Sequence, residues 1–261
     1  MYYNISKNKL NNLNQRTTLK MFHKTKAYLI HVLTGLGIFL SFFSIISILS
    51  ENLLFALIFL LIALFIDIVD GSLARQFEVK KHIPNLDGRM LDSIIDFINF
   101  VFIPCIILYE FDYLPEPFNI ILPLLILGVS IYSFSSIKVY TKEHLYVGFP
   151  SIWNVLIIYL TILSLSDMEN LYVLVFCLIL KIIPIKVLHP MRYENHKIKN
   201  IIIVLFLIPT TFVLLLNSLN IQFLIELKSY FLFMWYLFNL YFIILTVIIN
   251  IKFSTYKNFL K

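Results

Sequence analysis

Charge is what this 261-residue chain lacks most. Only 14% of its residues are Asp, Glu, Lys or Arg, and 60% are hydrophobic. A soluble domain of this length carries about a quarter charged residues, so an ordinary soluble fold is excluded and no separate soluble domain is expected. Cysteine is scarce too. The pair Cys105 and Cys177 sits inside apolar segments and offers no zinc spacing, so both read as small buried hydrophobes. His31, His144, His189 and His196 also lack metal spacing and read as interfacial. No internal repeat or long linker is evident. Residues 1–25 are polar and basic, and no small-residue cleavage site follows the first apolar run, so a cleaved signal peptide is not expected.

What is present is a series of long apolar runs, several reaching the length that crosses ~30 Å of hydrocarbon. The expected fold is all-α and polytopic, with eight transmembrane helices over roughly 27–49, 52–74, 89–109, 118–137, 148–165, 170–187, 200–218 and 228–251. Residues 1–26 form a cytoplasmic or interfacial segment, 27–251 the membrane domain and 252–261 a tail. The basic residues do not form a nucleic-acid patch, so the net charge of +6 implies no nucleic-acid partner. They alternate instead with the spans. Lys20, Lys24 and Lys26, then Arg75, Lys80, Lys81 and Arg89, then Lys138 and Lys142, then Lys186, Arg192, Lys197 and Lys199 all fall on one side. Glu51, Glu110, Asp112, Glu116, Asp167 and Glu169 fall on the other, where Lys228 is the one basic residue. The positive-inside rule then puts both termini on the cytoplasmic side.

Between Asp67 and Asp96 lies the one dense group of polar residues within the apolar runs. The spacing is Asp67-x-x-Asp70-Gly71-x-x-Ala74-Arg75, twelve residues, then Gly88-x-x-x-Asp92-x-x-x-Asp96. Asp67, Asp70, Gly71 and Ala74 share one stripe of a helix, and Gly88, Asp92 and Asp96 form a stripe on the next span. Two facing stripes would bring four carboxylates together, which is costly in a membrane unless cations neutralise them. Divalent metal ions do so, and a pair of them suits phosphoryl transfer. The apolar run before Asp67 covers about 14 residues, or roughly 21 Å of helix. Asp67 and Asp70 are therefore expected in a recess just below the cytoplasmic surface. Isolated helix-end carboxylates are common, but eight prescribed identities coincide by chance only about once in 10⁹ starts. Asn99 continues the second stripe one turn deeper, as a partner of the acids or as a bond between helices.

These eight positions resemble the signature of the CDP-alcohol phosphotransferase family of integral membrane enzymes. One departure is the gap of twelve residues between Arg75 and Gly88, longer than in most members. It resembles the bacterial branch that makes phosphatidylcholine, as do His31-Val-Leu-Thr34, Gly148-Phe-Pro-Ser-Ile-Trp153-Asn154 and Pro184-Ile-Lys186-Val-Leu-His189-Pro190-Met-Arg192. The resemblance implies a transferase of the bacterial inner membrane that moves the phosphatidyl group of CDP-diacylglycerol to choline and releases CMP. It implies two Mn²⁺ or Mg²⁺ ions held by Asp67, Asp70, Asp92 and Asp96, and Asp96 as general base. Gly71, Ala74, Arg75 and Gly88 would line the cytidine diphosphate site, with Arg75 pairing with phosphate or bracing an aspartate. A homodimer is a further expectation.

Choline's quaternary ammonium has no N–H and is usually held by aromatic faces. Trp153, Tyr146, Tyr140 and Phe149, with Asn154, are candidates, although Trp and Tyr also gather at membrane interfaces. Lys186 and Arg192 could serve topology or bind a lipid phosphate. The competing acceptors are serine, glycerol phosphate and inositol phosphate. The phosphorylated ones demand a basic cluster, and Lys138, Lys142 and Lys186 are already explained by topology. A cation or proton-coupled transporter is the reading from another class. It would place its acids near the midplane in repeated halves, and here they cluster on one side.

Overall fold

A computed structural model describes residues 2–136, 140–219 and 222–259. Lys138 lies outside that range, and so do the side chains of residues 2–17, 218, 222, 223 and 253–259. The chain is built from helices α1 (Tyr2–Leu49), α2 (Leu53–Gln76), α3 (Val79–His82), α4 (Gly88–Phe97), α5 (Ile103–Glu110), α6 (Phe118–Ser135), α7 (Trp153–Leu163), α8 (Asp167–Ile182), α9 (Lys197–Leu216) and α10 (Gln222–Phe259). Two short strands, β1 (Tyr146–Val147) and β2 (Lys186–Val187), pair antiparallel. Side-chain caps fix several helix starts. The Asn52 amide oxygen accepts from Phe55 N at 3.2 Å, the Asp87 carboxylate accepts from Arg89 N and Met90 N, and Ser166 and Glu169 form a capping box.

The chain is a multi-pass membrane protein: among the described residues, six helical stretches are long and apolar enough to cross a bilayer. They are Thr18–Leu49, Leu53–Gln76, Gly88–Glu110, Phe118–Ser135, Lys197–Leu216 and Leu224–Lys252. The two other expected spans also contain helices, but α7 has 11 residues and α8 has 16. At 1.5 Å per residue α7 covers only about 16 Å. The reason is local. Residues 148–152 and 183–187, apolar enough to read as helix ends, leave the helical path. Gly148 adopts φ +81, β2 pairs with β1, and Gly148 N donates to Ile185 O at 2.7 Å.

The outer surface is apolar, with Leu29, Phe39, Leu124, Phe206 and Ile243 all exposed. In lipid such surface gives no drive for helix association, so close approach and polar contacts matter more. Helix α1 supplies both. Ser44 Oγ donates to Ala56 O of α2 at 3.0 Å. Ser41 Oγ donates to Asn99 Oδ1 at 2.8 Å, and Asn99 Nδ2 donates to Gly37 O at 3.3 Å. A Cβ on Gly37 would stand 2.6 Å from Ile95 Cγ2, so glycine lets α1 and α4 touch. Asn99 lies in a π-helical turn, Ile98–Phe102, where the Ile103 N–H reaches back to Ile98 O. The sequence left Asn99 with two roles, and the structure makes it a bond between helices. The buried core, including Leu57, Leu60, Val101, Ile107, Ile157 and Leu174, lies between α2, the π turn, α5, α7 and α8.

The connections around β1 and β2 form a polar cap. Asn250 of α10 holds β2 at both backbone groups: Lys186 N donates to Asn250 Oδ1 at 2.9 Å, and Asn250 Nδ2 donates to Lys186 O at 2.6 Å. Leu145, Leu188 and Ile249 form a small apolar cluster between cap and helix. Lys181 Nζ ties the start of α7 by donating to Ser151 Oγ at 2.5 Å and Phe149 O at 3.2 Å.

Candidate functional site

Asp67 and Asp70 lie late in α2, and Asp92 and Asp96 lie on α4. The i, i+3 and i, i+4 spacings aim each pair along one helix face, and packing turns the two faces towards each other. One oxygen from each of Asp67, Asp70 and Asp92 lies within 4.8 Å of the others. Asp96 borders the same recess, with Thr34 and Asn99. Asp70 is 2% exposed, and its Oδ1 has no hydrogen-bond partner. Among the described residues the one ion pair is Lys81–Glu78, so no direct ion pair neutralises the aspartates.

An acceptor-only oxygen, buried and unpaired, is costly. Three carboxylates this close also repel strongly at low dielectric. A hard divalent cation answers both problems. Two oxygens on opposite sides of such an ion are about 4–5 Å apart, which is the scale of this trio. The donor set, all carboxylate oxygen, favours Mg²⁺, Mn²⁺ or Ca²⁺ over softer metals. The Asp67, Asp70 and Asp92 cluster is thus able to hold a divalent metal ion.

The small residues have separate roles. Gly71 has only the Arg75 guanidinium near the place of a Cβ, at 3.4 Å, so that side is open. Ala74 is half-buried beside it. Gly88 begins α4 against the His31 ring of α1, and a Cβ there would stand 2.6 Å from Cε1. Gly88 therefore sets how closely α4, with Asp92 and Asp96, approaches α1. Arg75 donates to Ser72 Oγ at 3.3 Å and pairs with no aspartate.

The cap supplies the other side of the site. Arg192 lies near enough to interact electrostatically with Asp67, Asp92 and Asp96. Its guanidinium carbon stands 5.1 Å from the centre of the Tyr140 ring. Tyr146 stacks on His189 with centroids 4.8 Å apart and planes within 6°, and Tyr140 is 5.0 Å from Tyr146 and 5.9 Å from His189. Burial, then the charges of Arg192, Arg75 and His144, push the His189 imidazole down to about 3, so the ring is neutral at pH 7. Its Nδ1 accepts from Met191 N at 3.3 Å. Burial raises the Tyr140 phenol; Arg192 opposes this and Asp96 and Asp67 add to it. Burial likewise holds Tyr146 well above its usual value.

Other residues suggested by sequence lie elsewhere. Trp153 is fully buried, and its indole N–H donates to Ser130 Oγ at 2.9 Å. Asn154 beside it is also fully buried, with neither amide atom partnered. The backbone of Lys186 is held by Asn250, and its charge acts on Glu143. Thr34 and Asn250 were not singled out as functional. The one signal for Asn250 is an amide within an apolar run, and which surface it meets is a tertiary fact.

A profile of the CDP-alcohol phosphatidyltransferase family matches residues 28–251. A phosphatidylcholine synthase of Borreliella burgdorferi is 36% identical over 177 residues, covering 68% of this chain and 76% of that protein. A phosphatidylcholine synthase of Pseudomonas aeruginosa is 34% identical over 196 residues, covering 75% of this chain and 79% of that protein.

Proposed function

The chain belongs to the CDP-alcohol phosphatidyltransferase family, and from that premise we propose that it transfers the phosphatidyl group of CDP-diacylglycerol to choline, forming phosphatidylcholine and releasing CMP. The observation that carries this reading is the close Asp67–Asp70–Asp92 trio on two membrane helices, with a buried, unpartnered oxygen on Asp70, in a chain similar to phosphatidylcholine synthases over most of its length.

In this reading the four aspartates hold two ions, Mn²⁺ or Mg²⁺, which would neutralise the diphosphate and stabilise CMP as it leaves. The chain's own groups do the rest. Asp67, Asp70 and Asp92 fix the position of the diphosphate. Asp96, on the same recess, takes the proton of choline's hydroxyl as its oxygen bonds to the phosphorus bearing diacylglycerol. The phosphorus–oxygen bond to CMP breaks in the same displacement. A carboxylate is a weak base for an alcohol, so proton transfer accompanies bond formation. The open side of Gly71, together with Ala74 and Arg75, takes the cytidine diphosphate, and Gly88 shapes that site by setting how closely α4 approaches α1. Arg192 faces the aspartates unpaired, and a guanidinium there suits a phosphate oxygen pair. Lys186, in the same connection as Arg192, is a further group for a lipid phosphate, while Trp153 and Asn154 are fully buried in the core. Residues 27–251 are the catalytic membrane domain, and 1–26, 252–261 and the active site face the cytoplasm of a bacterial inner membrane. The working unit is a homodimer.

The test is an acceptor panel. Purified protein in detergent or liposomes receives CDP-diacylglycerol with radiolabelled choline, serine, glycerol phosphate or inositol phosphate, with Mn²⁺ and Mg²⁺ in turn. Choline-dependent CMP release and labelled phosphatidylcholine are expected. Labelled product from another acceptor alone overturns the choline assignment, and CMP release that needs no alcohol overturns the transferase reading.

A further inference from the structure

The structure places an aromatic surface beside the aspartates, and we propose that Tyr146, His189 and Tyr140 form the face that selects the acceptor's quaternary ammonium. The inference rests on the choline reading above and adds the groups that recognise it. Choline's nitrogen lies two carbons from its hydroxyl, within about 4 Å of the attacking oxygen. Whatever binds the cation must therefore border the recess where Asp96 takes the proton. Trp153 does not meet that requirement, since it is fully buried with its N–H bonded to Ser130. The cap rings do. Tyr140 interacts electrostatically with Asp96 and Asp67, and Tyr146 with Asp67.

Three further observations fit a cation-binding face. The rings are contiguous, with centroids 4.8–5.9 Å apart, and Tyr140 keeps 40% of its surface exposed. The surface already attracts a cation, because Arg192 sits over the Tyr140 ring. His189 is neutral at pH 7 and contributes a π face without repelling an ammonium. Arg192 would repel a second cation nearby until an anion offsets it. The carboxylates of Asp67, Asp92 and Asp96, which Arg192 faces, supply that negative charge.

The experiment compares steady-state kinetics of the full-length wild type with Tyr146→Leu, Tyr146→Phe, His189→Leu and Tyr140→Leu. Choline and its neutral isostere 3,3-dimethylbutanol serve as acceptors. Tyr146→Leu and His189→Leu should raise the choline KM about 3- to 30-fold, the span of a cation–π contact. The KM for CDP-diacylglycerol should stay unchanged, and Tyr146→Phe, which keeps the aromatic face, should raise the choline KM less than Tyr146→Leu. The leucine variants should also lose the preference for choline over the isostere. An unchanged choline KM in all three leucine variants overturns the inference, as does a parallel rise in both substrates' KM values. If the wild type itself fails to use choline, the acceptor reading fails instead. Where one variant does not fold, an unaltered donor KM in another keeps the comparison valid.

Discussion

The two sides of this site are built by different means. One is a pair of adjacent membrane helices, α2 and α4, whose aspartates converge because helical periodicity puts them on facing stripes. The other is the cap, in which Tyr140, Tyr146, His189 and Arg192 come from two connections more than forty residues apart and are tied to α10 through the Asn250 amide. The first side is rigid and local, and the second depends on a distant anchor. Substitutions on the helices should therefore remove chemistry, while those on the cap should alter recognition.

The largest effect is expected from Asp70→Asn. It removes the negative charge and turns one carboxylate oxygen into an amide NH2 at a buried side chain whose Oδ1 has no hydrogen-bond partner. Loss of about 10³-fold or more in kcat is expected, on the scale of removing a key electrostatic stabiliser. Excess Mn²⁺ should not restore it, and near-normal activity in the metal-supplemented assay would remove the helices from the chemistry. Asp96→Asn comes next. Turnover should fall about 10²- to 10⁴-fold, as for a lost general base, while CDP-diacylglycerol binding survives. Normal turnover by the purified variant refutes that role.

On the cap side, Asn250→Ala removes two hydrogen bonds to Lys186. At about 1 kcal/mol each, a loss of up to about 30-fold in kcat/KM is expected. It should appear in KM while the metal dependence is unchanged. A shift in metal dependence instead would merge the two regions into one. Gly88→Ala probes the helical side from behind, since its Cβ would meet the His31 ring. Overpacking of about 1–3 kcal/mol should weaken activation by Mn²⁺, and adding His31→Ala should restore it. Failure of that rescue would mean Gly88 acts on the ligand directly. The smallest effect is expected from Trp153→Phe. It drops the bond to Ser130 and should cost about 1 kcal/mol of stability, with choline KM unchanged. A raised choline KM would move the acceptor site into the core.

The sequence carried some features further than others. Apolar length alone showed a polytopic helical protein, but it made two of the eight expected spans too long, because Gly148, Pro150 and Pro184 sit in apolar sequence that leaves the helical path. Trp153 drew attention as an aromatic near a span end, and burial turned it inward. His189, read as interfacial, belongs to the aromatic face. Its partner Tyr146 lies 43 positions away, and no periodicity connects them.

By itself, the sequence determined the membrane-spanning helical class and the aspartate stripes, because both follow from interactions within a turn or two of helix and from the cost of charge in hydrocarbon. The tertiary structure decided that Asn99 bonds to α1, that Gly88 abuts His31, and that Asn250 hangs the cap beside the aspartates. Those contacts join segments far apart in the chain, and only packing settles which of many polar groups meet.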